Sequence, residues 1–280
     1  MYLVVLMGNL LLITVVAVNS NLHTPMYFFL VNLSLIDLGS TSVIIPKSMA
    51  NALMNTMQIS YAECVAQMLL FLFFLSTNTF ILTVLAYDRY VAICHPLHFA
   101  TMMKRTNCIQ MAGGAWLAGF LNAALHTGTI FSLPFCSNII HQFFCDIPHV
   151  IRLSCSDSYL NEMWSLAFSV CLGVSCFVFI IMSYVRIFAT VFRMPSVERR
   201  QKAFSTCIPH LIVVSLLIGT VLFTYLTPNS ASSYNLDQAL AVLYTVVPPM
   251  MNPVIYSMRN QDVKAALWKM LGRGASYHKE

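Results

Sequence analysis

Seven long apolar runs, separated by short polar segments, constrain the fold of this chain more than any other feature of its sequence. The runs cover approximately residues 2–18, 26–45, 62–93, 108–125, 163–188, 204–226 and 236–258. A helix that crosses a bilayer needs about 17 to 25 mostly apolar residues. The sequence therefore predicts an all-α membrane protein in which residues 1–280 form a single domain, a bundle of seven transmembrane helices.

The low charge content excludes several classes of protein. Only 9% of the residues are charged and 58% are hydrophobic, with a mean hydropathy of +0.74. Soluble domains carry about 25% charged residues. The chain has too few charges to cover the surface of a water-soluble globule, which excludes a cytosolic enzyme, a nucleic-acid-binding protein and a disordered protein.

The distribution of basic residues predicts the orientation in the membrane. If the chain starts outside, 13 of its 15 Lys and Arg residues fall in inner loops and the tail, and only Lys47 and Arg152 fall outside. Inner loops of membrane proteins are enriched in basic residues. This pattern predicts a multi-pass protein with its N-terminus outside, its C-terminus inside and an odd number of spans.

The segment after the seventh run predicts a short amphipathic helix over residues 260–271. Val263, Leu267, Met270 and Leu271 recur at helical spacing, while the lysines of this segment are offset from them. Such a helix lies along the inner membrane surface.

Asp37 lies about midway along the second run, where a charged side chain is costly and usually functional. One hypothesis is an ion-binding or switching carboxylate that faces the interior of the bundle. The alternative is a structural hydrogen-bond hub with Asn9 and Asn252. Both place Asp37 inside the bundle, and we prefer the functional role.

Several sequence strings, in order along the chain, resemble the olfactory family of rhodopsin-like G-protein-coupled receptors. They occur in five of the seven runs and cover nearly the whole chain: Gly8-Asn9, residues 22–30 (LHTPMYFFL), Asp37, residues 86–97 (AYDRYVAICHPL), residues 202–207 (KAFSTC) with His210, and residues 249–260 (PMMNPVIYSMRN). Taken alone, Asp88-Arg89 is no more than an interfacial ion pair. The longer strings are specific to odorant receptors.

The resemblance implies a receptor for small volatile odorants and not an enzyme. Its implied partners are an odorant, a heterotrimeric stimulatory G protein that raises cAMP, and membrane lipid, with no cofactor, metal or nucleic acid. The implied location is the plasma membrane of olfactory cilia.

The resemblance also assigns roles to polar residues in the runs. A switch for G-protein coupling is implied at Asp88, Arg89, Tyr90, Tyr184, Lys202, Asn252, Pro253 and Tyr256. Arg89 would be held by Asp88 at rest and would swing toward the G protein when the sixth helix moves outward, with Tyr184 and Tyr256 settling around it. An interior polar hub is expected at Asn9, Asp37 and Asn78.

A ligand face is expected in the outer half of the third run. The spacing of Phe71, Leu72, Leu75, Ser76 and Thr79 places them on roughly one face of a helix. By analogy with the family, this face points into an odorant cavity together with Phe168, Val221, Leu222, Tyr225 and Thr245. A mostly apolar cavity with few polar anchors suits volatile organic molecules. We expect about half of these residues to touch ligand and the others to be ordinary packing residues.

Four cysteines are expected on the oxidising outer face, where they allow three pairings. The family implies the pairs Cys64–Cys145 and Cys136–Cys155. A rival hypothesis uses His141, Cys145 and His149 as metal ligands, but it would leave Cys64 without a partner.

Three features depart from the family pattern. Asn78 stands where these receptors often carry a glutamate, which weakens any claim to a sodium ion near Asp37. Ile218 stands where an aromatic residue usually precedes the mid-helix glycine, so activation cannot use an aromatic toggle there. The glycosylated N-terminal tail and the start of helix one are expected to be missing, which suggests either a late gene-model start or a non-functional truncated receptor.

Two other functions remain as alternatives. A small-molecule transporter or channel would also span the membrane, but carriers usually show internal repeats and none is visible. An intramembrane enzyme would need more than the pair of Cys207 and His210, which supplies too few groups for catalysis.

Overall fold

The computed structural model describes residues 1–54, 59–133, 139–140, 160–226, 247–253, 255 and 263 of the chain. The helices are α1 (Tyr2–Val18), α2 (Pro25–Met54), α3 (Tyr61–Cys94), α4 (Arg105–Phe131), α5 (Leu160–Phe192), α6 (Val197–Leu226) and α7 (247–253). One-turn helices at Ser20–Leu22, Pro96–His98 and Phe99–Met102 lie in the connections. The prediction of an all-α membrane fold is confirmed.

Five of the described helices are long and apolar enough to cross a membrane. Their spanning segments are Pro25–Ala50, Tyr61–Cys94, Arg105–Phe131, Trp164–Phe192 and Val197–Gly219. The first helix is apolar but shorter, with 17 residues. The count of seven spans therefore stays a prediction, as does the amphipathic helix at 260–271, of which the structure describes Val263.

Four helices extend by several residues beyond the apolar runs that predicted them, α2 and α6 mainly at one end and α4 and α5 at both ends. The second continues past Pro46 to Met54, although the sequence placed a boundary at that proline. Membrane helices tolerate an internal proline because neighbouring groups can satisfy the freed backbone carbonyl. The sixth begins at Val197, ahead of its apolar run, where the Ser196 hydroxyl accepts a hydrogen bond from the Arg199 N–H at 3.4 Å.

The third helix forms the centre of the described bundle and packs against α2, α4, α5 and α6. Its first turn, which is the outer end in the orientation predicted from the basic residues, is fixed by a capping box. The Glu63 N–H donates to Ser60 Oγ at 3.3 Å, and the Ser60 N–H donates to Glu63 Oε2 at 3.1 Å. Glu63 also pairs with Lys47 of α2 at 2.9 Å, but both side chains are partly exposed, so this ion pair adds little stability.

A short antiparallel strand pair sits beside the start of α3. Strand β1 (Ile59–Ser60) pairs with β2 (Ile139–Ile140), with Ile59 opposite Ile140 and Ser60 opposite Ile139. Residues 139–140 of the segment between α4 and α5 are therefore anchored at the outer end of the central helix.

Close helix packing joins α4 to α2 and α3. The Trp116 indole N–H donates to Asn32 Oδ1 of α2 at 2.9 Å. One turn further along α4, Gly119 lies directly against Thr77 of α3, and a Cβ atom at Gly119 would lie 3.0 Å from the Thr77 backbone nitrogen. Only glycine allows the two helices to approach this closely at that point.

The buried apolar side chains form two clusters. The larger lies between the helices from their middle to their inner ends and includes Leu33, Ile81, Leu85, Ile187 and Val213. The smaller lies at the outer ends of α3 and α4 and includes Cys64, Met68, Leu72, Ala123 and Ile130. The polar groups described below lie between and within these clusters.

Candidate functional site

Polar side chains join α1, α2 and α7 in the interior of the bundle. Asp37 is 2% exposed, and its Oδ2 accepts a hydrogen bond from Asn252 Nδ2 at 2.8 Å. Asn9 Nδ2 donates to the Pro249 carbonyl at 3.2 Å and to the Val5 carbonyl at 3.0 Å. The structure thus brings Asp37 and Asn252 into direct contact and places Asn9 against α7.

The third predicted hub residue, Asn78, is buried on α3. The side-chain oxygens of Asn9, Asn78 and Asn252 are buried and accept no hydrogen bond within the described part of the chain. A buried acceptor without a donor is costly. The described helices therefore leave three buried amide oxygens without a hydrogen-bond donor. No group of three or more His, Cys, Asp or Glu side chains converges on a metal position among the described residues.

The predicted switch residues Asp88 and Arg89 form a buried ion pair at the inner end of α3. Arg89 Nε donates to Asp88 Oδ2 at 2.9 Å, and Arg89 Nη2 bonds the same oxygen. The Asp88 side chain is 0% exposed and that of Arg89 is 11% exposed. Because both charges lie away from water, removing either one leaves the other buried without a partner.

A hydrogen-bonded bridge links α3, α5 and α6 about two turns from this ion pair. His210 Nε2 lies 3.0 Å from the Leu82 carbonyl of α3, and its Nδ1 lies 2.8 Å from the Tyr184 hydroxyl of α5. The two rings stack with centroids 5.6 Å apart and an interplanar angle of 21°. With its Nε2 protonated, His210 donates to the carbonyl and accepts from the tyrosine, so α6 is held against the central helix.

The family resemblance implied that Tyr184 lies near Arg89 in the active state. In this structure its hydroxyl is hydrogen-bonded to His210 instead. In the sequence, His210 stood out as part of a family string and as a weak partner of Cys207 for an enzyme, and neither gave it a role in holding helices together. The signal in the sequence is the three-residue spacing of Cys207 and His210, which places both on one face of an apolar helix. That face is buried in the structure. A buried histidine needs a partner, and here two neighbouring helices provide it.

The other switch residues are spread around the inner end of the bundle. The Tyr90 hydroxyl lies 3.0 Å from His95 Nε2, so Tyr90 contacts the start of the second inner loop. Lys202 is exposed at the inner end of α6, and Pro253 is buried in α7. Tyr256 lies outside the described residues.

The predicted ligand face of α3 is partly buried along its length. Phe71, Leu75, Ser76 and Thr79 are half-buried, and Leu72 belongs to the smaller apolar cluster. Thr79 donates its hydroxyl proton to the Leu75 carbonyl at 3.1 Å.

The structure does not bring Phe168 to this face. Its side chain is 55% exposed and lines an outer groove of about 360 Å³ between α4 and α5, together with Leu125, Gly128, Thr129, Ser132, Trp164 and Ser165. Val221, Leu222 and Tyr225 belong to α6, but their side chains lie outside the described residues, as does Thr245.

Three polar residues that were not predicted from the sequence are linked to the ligand face by hydrogen bonds, and one of them, Asn122, contacts it directly. Asn122 of α4 bonds Ser76 of α3 at 2.9 Å and Ser169 of α5 at 2.7 Å, and His126 of α4 bonds Ser169. Asn122 and His126 are four residues apart, so they share one face of α4. Two polar side chains at this spacing in an apolar run signal a face that points away from lipid.

Cys64 is buried at the outer end of α3 and is disulfide-bonded. Its partner lies outside the described residues, as do Cys136, Cys145 and Cys155, the two predicted pairings and the rival metal ligands His141 and His149. The strand pair anchors residues 139–140 within a few residues of Cys64, which is consistent with a bond from this segment. The pairing itself stays a prediction.

Sequence comparison identifies relatives along nearly the whole chain. A family model described as olfactory receptor matches residues 1–273. The chain is 47% identical to human Olfactory receptor 14C36 over 274 residues, which cover 98% of this chain and 88% of that protein. It is 49% identical to human Olfactory receptor 14I1, covering 96% and 87%, and 46% identical to mouse Olfactory receptor 5AR1, covering 97% and 88%. The chain therefore belongs to the olfactory receptor family, which is a family of G-protein-coupled receptors and not of enzymes.

Proposed function

We propose that this chain is an odorant receptor of the plasma membrane, with its N-terminus outside, that activates a stimulatory G protein and raises cAMP. Family membership supports the sensory role. The observation that carries the coupling mechanism is the buried Arg89–Asp88 pair at the inner end of α3, close to the bridge that holds α6. A buried cation of this kind, at the inner membrane surface, is available to a partner only after the helices rearrange.

The ligand site of this proposal lies in the outer half of the bundle. Phe71, Leu75, Ser76 and Thr79 of α3 form its described wall, and the family resemblance adds Val221, Leu222, Tyr225 and Thr245. A small volatile molecule bound against this wall changes how α3, α5 and α6 pack, because all three elements are joined by side-chain contacts. Ligand binding and G-protein binding then favour the same arrangement and strengthen each other.

The inner half responds through the bridge at His210. An outward movement of α6 breaks the His210–Leu82 hydrogen bond and separates the Tyr184–His210 pair. Tyr184 is then free to bond Arg89, which leaves Asp88 and faces the opened inner cavity. Lys202 and Arg199, both exposed at the inner end of α6, line the entrance to this cavity.

Replacement of His210 by alanine is expected to raise basal cAMP. The change removes two hydrogen bonds that hold α6 against α3 and α5, each of which contributes about 0.5–1.5 kcal/mol, so the active population rises by about five- to a hundredfold from its low resting value. Tyr184→Phe is the matched variant, because it keeps the ring and removes one bond. Its basal cAMP, measured per receptor at the surface, is expected to lie between those of wild type and His210→Ala. Lower basal cAMP in His210→Ala than in wild type would contradict the bridge as a resting-state lock.

The proposal is tested in cells that express the chain with an epitope tag before Met1. Antibody staining without permeabilisation reports whether the N-terminus is outside, and cAMP is measured in the same cells during exposure to a panel of volatile ketones, aldehydes, alcohols and hydrocarbons. We expect surface staining and a cAMP rise with part of the panel. Surface staining with uptake of a panel compound and no cAMP rise would favour the transporter. Staining of the tag only after permeabilisation would favour a truncated, non-functional receptor.

A further inference from the structure

Four polar side chains form one continuous hydrogen-bonded chain across α3, α4 and α5. Asn122 Nδ2 donates to Ser76 Oγ at 2.9 Å, and Ser169 Oγ donates to Asn122 Oδ1 at 2.7 Å. His126 Nε2 lies 2.5 Å from Ser169 Oγ. His126 is buried, and Ser76, Asn122 and Ser169 are half-buried. This set, His126–Ser169–Asn122–Ser76, is called the polar chain below.

Each hydrogen bond in the polar chain fixes the direction of the next. The Ser169 hydroxyl has one proton, which goes to Asn122 Oδ1, so Ser169 Oγ can only accept from His126. His126 is therefore the tautomer with a proton on Nε2. Because the Asn122 oxygen is used by Ser169, its amide N–H faces Ser76, and Ser76 Oγ acts as an acceptor there.

The Ser76 hydroxyl proton, at the end of the polar chain, has no acceptor among the described residues. Within the described part of the structure, Ser76 accepts from Asn122 and donates to no acceptor. Thr79, one turn further along the same predicted ligand face, differs in this respect, because its proton is donated to the Leu75 carbonyl of its own helix. Of the two hydroxyls on this face, Ser76 has the free donor.

We propose that His126, Ser169 and Asn122 are positioning residues that hold the Ser76 hydroxyl as a donor toward the odorant, so that the site selects molecules with a carbonyl oxygen. This inference rests on the proposed function and adds the chemical class of the ligand. A ketone or aldehyde accepts the Ser76 proton and leaves no polar group unpaired. An alcohol can also accept it, but the only described acceptors on this face for its own proton are the hydroxyl oxygens of Ser76 and Thr79, which already take part in hydrogen bonds. A hydrocarbon leaves the Ser76 donor unpaired.

The size of this preference follows from a single hydrogen bond in a site shielded from water. One net hydrogen bond corresponds to about a three- to tenfold change in affinity. An unpaired buried donor or acceptor adds a penalty of similar size. The ketone in a set of matched compounds is therefore expected to bind about ten- to a hundredfold more tightly than the hydrocarbon, with the alcohol between them.

The reverse direction of the polar chain predicts a different selectivity. If the Asn122 amide were turned over, Ser76 would donate to its oxygen, Ser169 would donate to His126, and a lone pair on Ser76 would face the ligand. The site would then prefer alcohols. Asn122→Asp imposes the reversed direction at Ser76 alone, because a carboxylate can only accept, from Ser76 at one oxygen and from Ser169 at the other. The preference of this variant is expected to shift from ketone toward alcohol.

The test measures binding to the purified full chain in lipid nanodiscs by ligand-observed NMR. Three probe sets with matched carbon skeletons are used: acetophenone, its reduced alcohol and ethylbenzene; cyclohexanone, cyclohexanol and cyclohexane; heptanal, heptanol and heptane. Wild type is compared with Ser76→Ala, which removes the donor, Ser76→Thr, which retains a hydroxyl, and Thr79→Val, which removes a hydroxyl whose proton is already used. Thermal unfolding of each variant confirms that it is folded.

We expect the carbonyl compound to bind most tightly in at least one set, with this advantage lost in Ser76→Ala and retained in Ser76→Thr and Thr79→Val. Equal binding of hydrocarbon and carbonyl compound, an advantage that persists in Ser76→Ala, or no binding by any probe overturns the inference. If Asn122→Asp does not fold, the Ser76 and Thr79 variants still test whether the Ser76 donor selects carbonyl compounds. Binding needs no G protein, so carbonyl binding without a cAMP response contradicts only the proposed function, whereas equal cAMP responses to hydrocarbons and ketones contradict only this inference.

Discussion

Replacing Arg89 with alanine is expected to abolish the ligand-dependent rise in cAMP. Arg89 is the only partner of the buried Asp88 carboxylate among the described residues, and in the proposed mechanism it is the group that leaves this carboxylate when the inner cavity opens. Alanine has no charge or donor to offer the G protein. The expected response at saturating ligand is indistinguishable from that of cells without receptor, measured as cAMP per receptor at the surface.

The control for this prediction separates signalling from folding. Arg89→Ala leaves the Asp88 charge buried and unpaired, which is expected to destabilise the protein by about 3–5 kcal/mol and to lower its surface level. The double variant Asp88→Asn/Arg89→Ala removes that charge as well. It is expected to recover most of the surface level and none of the response. A normal ligand response from this double variant would rule out Arg89 as the coupling residue.

Introducing valine at Gly119 is expected to destabilise the receptor strongly. A Cβ atom there would lie 3.0 Å from the Thr77 backbone nitrogen and closer still to its side chain, so α3 and α4 must move apart. This separation also breaks the hydrogen bonds of Trp116 to Asn32 and of Asn122 to Ser76, which hold α4 in the bundle. Overpacking of this kind costs about 1–3 kcal/mol, and the separation of two helix backbones places Gly119→Val at the upper end of this range.

The matched control lies on the same helix. A Cβ atom at Gly114 would meet no atom within 4 Å, so Gly114→Val makes the same chemical change on an open face. Thermal unfolding of the purified variants is the measurement. Gly119→Val is expected to unfold at a clearly lower temperature than wild type, and Gly114→Val close to wild type. Similar unfolding temperatures for the two variants would show that the α3–α4 contact does not need glycine.

The helices could be predicted from the sequence because a bilayer requires long apolar segments, and these segments stand out between polar residues. Their ends were less predictable. The first turns of α6 carry Glu198 and Arg199, which break the apolar pattern but remain helical because both side chains are exposed. Pro46 suggested the end of α2, yet a proline interrupts only its own backbone hydrogen bond, and the packing of the helix against α3 continues beyond it.

The interior contacts could be predicted only in part. Asp37 and Asn252 stand out as polar residues in apolar runs, so a contact between them was one of the two hypotheses for the hub, and the structure contains it. The bridge at His210 and the contact of Asn122 with Ser76 depend on how α6 and α4 are rotated about their own axes against α3. The periodicity of a run gives its apolar face but not that angle. The exposed position of Phe168 has the same origin, because it depends on how α5 is rotated against its neighbours.

The most direct test of the proposed function is nucleotide exchange on a purified stimulatory G protein. The full chain in nanodiscs is mixed with the G protein, and binding of a non-hydrolysable GTP analogue is followed with and without a mixture of the carbonyl probes named above. The account predicts faster exchange with the probes, no acceleration with the Asp88→Asn/Arg89→Ala variant, and a raised rate without probes for His210→Ala. A chain that binds a probe but leaves the exchange rate unchanged would contradict the claim that it is a receptor for that G protein.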